Sequence, residues 1–437
     1  MIIKNAIRVV LSASLLFGVA GGVGGCASDG PKAKVSDSKS YVFWPAAPDE
    51  PRIQYLGSFN SSEDVTPDRA TNFEKLVFGK DAVREAYVNK PYGVAIRGGC
   101  IYICDIRAKA LIIMDLAKKQ TRLVGVTGST RLERPVAVAV GEDGQLYVAD
   151  GIHGAILVFD AGERYTRSIV IPKLKPSGVA IRGNRLYVSD IGRQNVLMLD
   201  AKTGATLGEI GSVGDENGQF RLPVGVSLDR EGNLFVSDMM RCRVQKFTAD
   251  GTYLGGVGQL GDSAGSFARP KHLAVDSEGI VYVIDSGFQN VQMFNDDFQL
   301  LMHFGAAGDF PGAMNLPVGI AVADGGAEFF KDLIHPGFAC KRLIVVANQF
   351  GDGKVSVYGL GDRREGYSLA DMRSSAMNVE SGVAPPSAES LKFQNIGGVE
   401  PLPDGTVPLE KPAEIPAGKP AEKAAAGASE PSKSPQR

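Results

Sequence analysis

One phrase recurs along this chain and narrows its possible folds more than any other feature. It runs proline, a small residue two positions on, an apolar strand, a Gly-containing turn, an aromatic strand, then an acid. It reads PYGVAIRGGCIYICD from Pro91 to Asp105 and PVAVAVGEDGQLYVAD from Pro135 to Asp150. It returns from Pro176 to Asp190, Pro223 to Asp238 and Pro270 to Asp285. A sixth copy starts at Pro317, takes an insertion around Glu328 to Lys341, and resumes at RLIVVAN with Asn348 where the others have aspartate. The prolines are spaced by 44, 41, 47, 47 and 47 residues, the length of one four-stranded propeller blade.

Each copy parses into four strands. The first is small and apolar, as a strand crowded around a central channel must be. The second carries an aromatic three residues before the acid: Tyr102, Tyr147, Tyr187, Phe235 and Tyr282, with Val345 in the sixth copy. The third, such as Val244-Gln245-Lys246-Phe247, alternates with period two. The fourth is short and ends near glycine. The sixth copy lacks a fourth strand, because the sequence after Tyr358 turns polar. The segment from Arg52 to Phe59 upstream reads like the fourth strands elsewhere. Pairing it into the last blade closes the ring and removes two exposed edges. The expected fold is therefore all-β, a six-bladed β-propeller closed by an N-terminal strand. The 54 glycines, which follow no Gly-X-Y period, suit its many tight turns.

The phrase P-x-G-V-A-x-x-x-x-G-x-L-Y-V-x-D resembles the NHL repeat, over roughly residues 50 to 360. The lead-in FWPAAPDEPRIQYLGSF and the helix-like NFEKLVFG are similar to those of secreted bacterial NHL proteins. The resemblance implies a fold and says almost nothing about function.

Residues 1–25 read as a signal segment, with Lys4 and Arg8 before the apolar run Val9 to Phe17. That run is too short for a membrane-spanning helix, which needs about 20 apolar residues. Val23-Gly24-Gly25-Cys26 resembles the lipobox of bacterial lipoproteins, which implies that Cys26 is lipidated and becomes the new N-terminus. Ala27 stands where that family places aspartate for inner-membrane retention. The expected location is therefore the cell envelope, with the outer membrane favoured and the periplasmic side assumed. Residues 26–41 form a polar tether, 42–362 the propeller, and 363–437 an extended, largely disordered Pro/Ala-rich tail. A net charge of −2 gives no basis for nucleic-acid binding. Cys100 and Cys104, four apart on one strand and about 13 Å from each other, are too distant for a disulfide.

The repeated acids Asp105, Asp150, Asp190, Asp238 and Asp285 each close a second strand at a turn, where a carboxylate can accept backbone N–H bonds. They are read as architecture, with no catalytic residue assigned. Propellers of this resemblance include a peptide-amidating lyase with histidine-bound metal and lactonases with a Glu/Asn/Asp calcium set, so a metal-dependent lyase or hydrolase at the channel mouth is the rival reading. Against it, the positions two after each proline are Gly93, Ala137, Gly178, Gly225, His272 and Gly319, with one ligating side chain among six. His153, His303 and His335 fall on other elements, whereas a zinc site needs about three protein ligands. No cofactor is expected, although an oxygen-ligated calcium leaves little sequence trace.

The loops after the second strands of blades three, four and five carry Arg193, Arg241, Arg243 and Phe288. With His272 at the rim, these are the candidate partner-binding residues. The expected function is a non-enzymatic envelope lipoprotein whose propeller rim recognises a protein or peptide, with a glycan as a further option. The propeller is expected to be monomeric.

Overall fold

The computed structural model describes residues 41–46, 48–65, 86–128 and 131–376. The signal segment, Cys26, the tether up to residue 40, NFEKLVFG and the tail from residue 377 lie outside the described residues. Five copies of the repeat each form a four-stranded antiparallel sheet in meander order. Their innermost strands are Pro91–Arg97, Pro135–Val140, Pro176–Arg182, Pro223–Leu228 and Pro270–Val275. Blade six is built from Pro317–Asp324, Phe338–Asn348, Val355–Arg363 and the N-terminal Ile53–Phe59. The innermost strands pack against one another in a closed ring, with blade six meeting blade one. The molecule is a six-bladed β-propeller.

The repeated phrase is legible in the register. Each proline opens its innermost strand, where a missing N–H costs nothing. Each sits opposite the residue that ends the second strand: Pro91 opposite Asp105, Pro135 opposite Asp150, Pro270 opposite Asp285 and Pro317 opposite Asn348. The small residue two positions later lies where neighbouring inner strands nearly touch. A Cβ on Gly93 would come within 2.6 Å of the Ala137 Cα, and one on Gly178 within 2.6 Å of the Val224 carbonyl oxygen. Serines just before the acid bond between blades. Ser189 donates to the Val224 carbonyl at 3.1 Å, and Ser237 donates to that of Lys271.

The second-strand aromatics fill the spaces between blades. Tyr187, Phe235 and Tyr282 are fully buried, and each burial contributes roughly 2–3 kcal/mol. The Tyr187 hydroxyl donates to the Ala249 carbonyl at 3.0 Å, and that of Tyr282 to Asp276 at 2.8 Å. Period-two alternation in the third strands does not alternate core with solvent here, because each blade is covered on both faces. Gln245 and Gln292 are buried, and their amides donate to the Gln219 and Ser266 carbonyls at 2.9 and 2.8 Å.

Three features depart from the sequence expectation. Phe43–Trp44 adds a fifth strand outside Ile53–Phe59, and the buried Trp44 ring packs on Phe304 and Tyr358. The boundary placed at residue 362 also moves. The third strand of blade six runs to Arg363, and a helix follows at Leu369–Ala376. Residues 363–376, placed in the expected extended tail, thus carry the end of that strand and this helix, and the rest of that expected tail lies outside the described residues. Ser368 accepts the Asp371 N–H, and the buried Met372 joins Phe43 and Phe338, giving this short polar helix an apolar anchor. The third departure lies in the connections entering blades four, five and six, which are plugs rather than plain turns. Phe220, Phe267 and Met314, each three residues before a repeat proline, are fully buried.

Candidate functional site

The face at which the prolines begin and the acids end is built around buried carboxylates. Asp285 accepts from Ala268 and Arg269 N–H before its own blade's proline at 2.7 and 3.0 Å, and from Gly287 and Phe288 after it at 2.7 and 3.1 Å. Asp105 does the same with Asn89, Lys90, Arg107 and Ala108. Asp150 accepts from Glu133, Arg134, Ile152 and His153. Asp190 and Asp238 follow the same pattern. Burial pushes the Asp150 carboxyl up, yet its backbone N–H bonds together outweigh burial and hold it below the usual carboxylate range. Such saturated carboxylates fix the two loop families on this face and have little capacity left for a ligand.

The candidate contact residues divide. Arg193 turns back onto Asp190 at 2.5 Å and donates to the Pro172 carbonyl at 2.7 Å, so it clamps its own loop. Arg243 donates to the Glu216 and Gln219 carbonyls, both at 2.8 Å. Arg241 is half exposed and lies 3.4 Å from Asp215, an acid also bonded by Arg221. Phe288 is half-buried, and its backbone N–H donates to Asp285 at 3.1 Å. Arg241 and Arg243 share the neighbourhood of Asp215, whereas Arg193 is engaged within blade three.

His272 is not at an open rim; it is 9% exposed. Its ring meets Tyr92 of blade one edge to face, with centroids 5.6 Å apart, and it also feels the Ser177 backbone of blade three. Neither blade adjoins blade five, so the imidazole reaches across the central channel. Burial, then the Lys271 charge, push its pKa down to about 4 against the pull of Ser177, which leaves it neutral near pH 7. Nε2 has no hydrogen-bond partner. Burial also pushes the Tyr92 hydroxyl up, partly offset by Arg134, and lowers Lys271, which Arg269 lowers further.

Sequence reading missed an apolar pattern on the same face. Two residues after the acid position stand Ile152, Met240 and Phe350, in blades two, four and six, and all three are more than half exposed. The equivalent positions in blades one, three and five are Arg107, Gly192 and Gly287. Aligning the repeats by their acids, rather than by their prolines, makes this visible. The opposite face holds a recess of about 360 Å³ between the Gly98-Gly99 turn and the blade-six insertion, walled by Ile96, Leu116, Phe329 and Leu343. Its rim acid Asp324 is bonded to Arg342 at 2.5 Å. Among the described residues no three His, Cys, Asp or Glu side chains are grouped to hold a metal.

Fold and site together define a six-bladed β-propeller with a loop-built face around a narrow channel. No family model matches the sequence. Similar solved structures include a Bacteroides thetaiotaomicron protein of unknown function, at 18% identity and a TM-score of 0.47, covering 63% of this chain and 70% of that one. Virginiamycin B lyase from Staphylococcus aureus is similar at 11% identity and a TM-score of 0.42, covering 62% and 85%. The calcium-binding protein regucalcin from Agrobacterium tumefaciens is similar at 12% identity and 0.44, covering 63% and 91%. These are likenesses of fold at low identity, and no residue role is transferred from them.

Proposed function

We propose that this chain is a lipid-anchored envelope protein of the NHL-propeller type. In this reading it works as a binding scaffold, recognising a protein or peptide through the face where the acids end the second strands. The observation that carries the reading is the placement of Ile152, Met240 and Phe350 at one equivalent loop position in alternate blades. Single exposed apolar residues are ordinary. Three of them at one loop position, with the Ile152 and Met240 loops held by the buried carboxylates Asp150 and Asp238, the Phe350 loop held by backbone bonds to Asn315 and Leu316, and Arg241 beside Met240, have the composition of a contact surface. Stiff blades carrying variable loops suit such a role.

The anchor reading is compatible with that face. Tyr41 packs on His335 at the outer side of blade six, with ring centroids 4.9 Å apart, away from the channel mouth. Fifteen residues from Cys26 to Tyr41 would span roughly 20 Å as a flexible coil. Cys26→Ala should move the protein from the membrane fraction to the soluble one.

The partner reading is tested by placing a photo-crosslinker at Met240, and separately at Leu254 on the outer strand of the same blade, in the native envelope. A discrete protein adduct from position 240 and none from 254 supports it. Identical adducts from both positions, or none from 240, overturn it.

A further inference from the structure

We infer that the channel mouth on the acid-ended face is a binding cup for a small molecule carrying a carboxylate or phosphate group. This site goes beyond the partner reading and stands without it.

The residues just before the repeat prolines are Lys90, Arg134, Lys175, Leu222, Arg269 and Leu316, four of them basic. In those four blades the backbone N–H of the basic residue is bonded to the buried acid, Asp105, Asp150, Asp190 or Asp285. The ring of acids therefore fixes where a ring of cations stands. Arg134, Lys175 and Arg269 are exposed. They and Lys271 make no ion pair with a carboxylate among the described residues, whereas Arg221 and Arg241 on the same face share Asp215.

The cup has a floor. Lys271 follows its proline at once and is half-buried. His272 comes next and crosses the channel to Tyr92, with an unpartnered Nε2 more than nine-tenths buried. Arg134 acts on Tyr92, Lys271 on His272, and Arg269 on Lys271. These five side chains thus form one electrostatic neighbourhood spanning blades one, two and five. The carboxylates beneath these residues are taken up by backbone N–H bonds, so the side-chain cations above them carry no ion pair of their own among the described residues, and an anion at the mouth gains from several of them at once. An oxyanion seated among Arg134, Arg269 and Lys271 would bring an oxygen toward Nε2, and a proton taken up by the ring together with the anion would let Nε2 donate to it, completing a polar group at the floor that lacks a partner.

The test uses the full-length detergent-solubilised protein with histidine-specific ¹⁵N labelling. It is titrated separately with inorganic phosphate and with succinate at fixed ionic strength. The expected result is a saturable shift of the His272 ring resonance with at least one anion, together with a rise of its titration midpoint from about 4. Binding to N should also raise Tm. Arg134→Gln/Arg269→Gln removes two exposed charges and should weaken binding at least tenfold, and Lys271→Gln should do the same. Preference for phosphate or for succinate decides the source of the oxyanion. If neither anion gives a saturable shift, or the double variant binds as tightly as the parent, the inference is overturned. Loss of the Met240 crosslink with anion binding intact would fault only the partner reading.

Discussion

Gly319 of blade six lies against Tyr92 of blade one so closely that a Cβ added at Gly319 would sit 2.0 Å from the Tyr92 carbonyl oxygen. That approach is where the ring closes, and the obstacle is backbone rather than a movable side chain. Gly319→Ala should therefore cost about 3 kcal/mol by overpacking. Gly98→Ala is the comparison: its φ is +57° but it has open space around it, so it should cost only about 1 kcal/mol of backbone strain. Urea denaturation of the two variants should show the first midpoint falling far more than the second.

Asp150 gives the structure an acid-sensitive component. Its folded carboxyl lies below the usual range because its backbone N–H bonds outweigh the burial that would raise it. A depressed folded value means the stabilisation is complete above the unfolded value of about 4. It is lost as pH falls through the folded value. Asp150→Asn should cost about 2–3 kcal/mol near neutrality, because a carboxamide leaves part of that N–H set unpaired. It should also flatten the acid limb of the stability profile below about pH 4, which thermal melts from pH 7 to 2.5 would reveal.

Blade six shows why the same substitution can be native in another setting. Asn348 turns its amide around, donating to the Gly353 carbonyl at 2.7 Å and to Ser356 at 3.2 Å. The Leu316 N–H before its proline is taken instead by the Gln289 side chain at 3.2 Å. The repeat's period was legible because it recurs in every blade, and its Pro-to-Asp register because it recurs in five of the six. The strand borrowed from upstream was legible because blade six visibly lacked one. What escaped sequence reading depends on contacts made once. Trp44 finds its place against Phe304 and Tyr358, and Met372 against Phe43 and Phe338. His272 reads as a rim residue from its repeat position, and only the ring shows it crossing to Tyr92. The arginines read as surface charge because sequence does not say that Arg193 folds back onto Asp190.

The borrowed strand should matter for stability. Ile53 is fully buried, and its neighbour Gln54 bonds the insertion through the Leu333 carbonyl at 2.8 Å and the His335 N–H at 3.0 Å. Ile53→Ala should cost about 3 kcal/mol by transfer and cavity terms. Leu301→Ala, at a half-exposed position on an outer strand, should stay within about 0.5 kcal/mol. Equal losses at the two sites in chemical denaturation would count against ring closure by this strand.

The two kinds of arginine on the acid-ended face can be separated by measuring stability and partner capture on the same variants. Arg193 holds the fully buried Asp190 and the Pro172 carbonyl, so Arg193→Ala should lower stability by about 1–2 kcal/mol. Its effect on capture should be no larger than the loss of folded protein explains. Arg241 is half exposed and only 3.4 Å from an equally exposed Asp215, a geometry that contributes little to folding. Arg241→Glu combined with Met240→Asp should leave the unfolding midpoint unchanged and abolish the crosslinked adduct formed from a probe at Phe350, because a rigid face loses an apolar anchor and a cation together. An adduct that survives this pair but disappears with Arg193→Ala would place recognition in the blade-three loop and remove blade four from the contact surface.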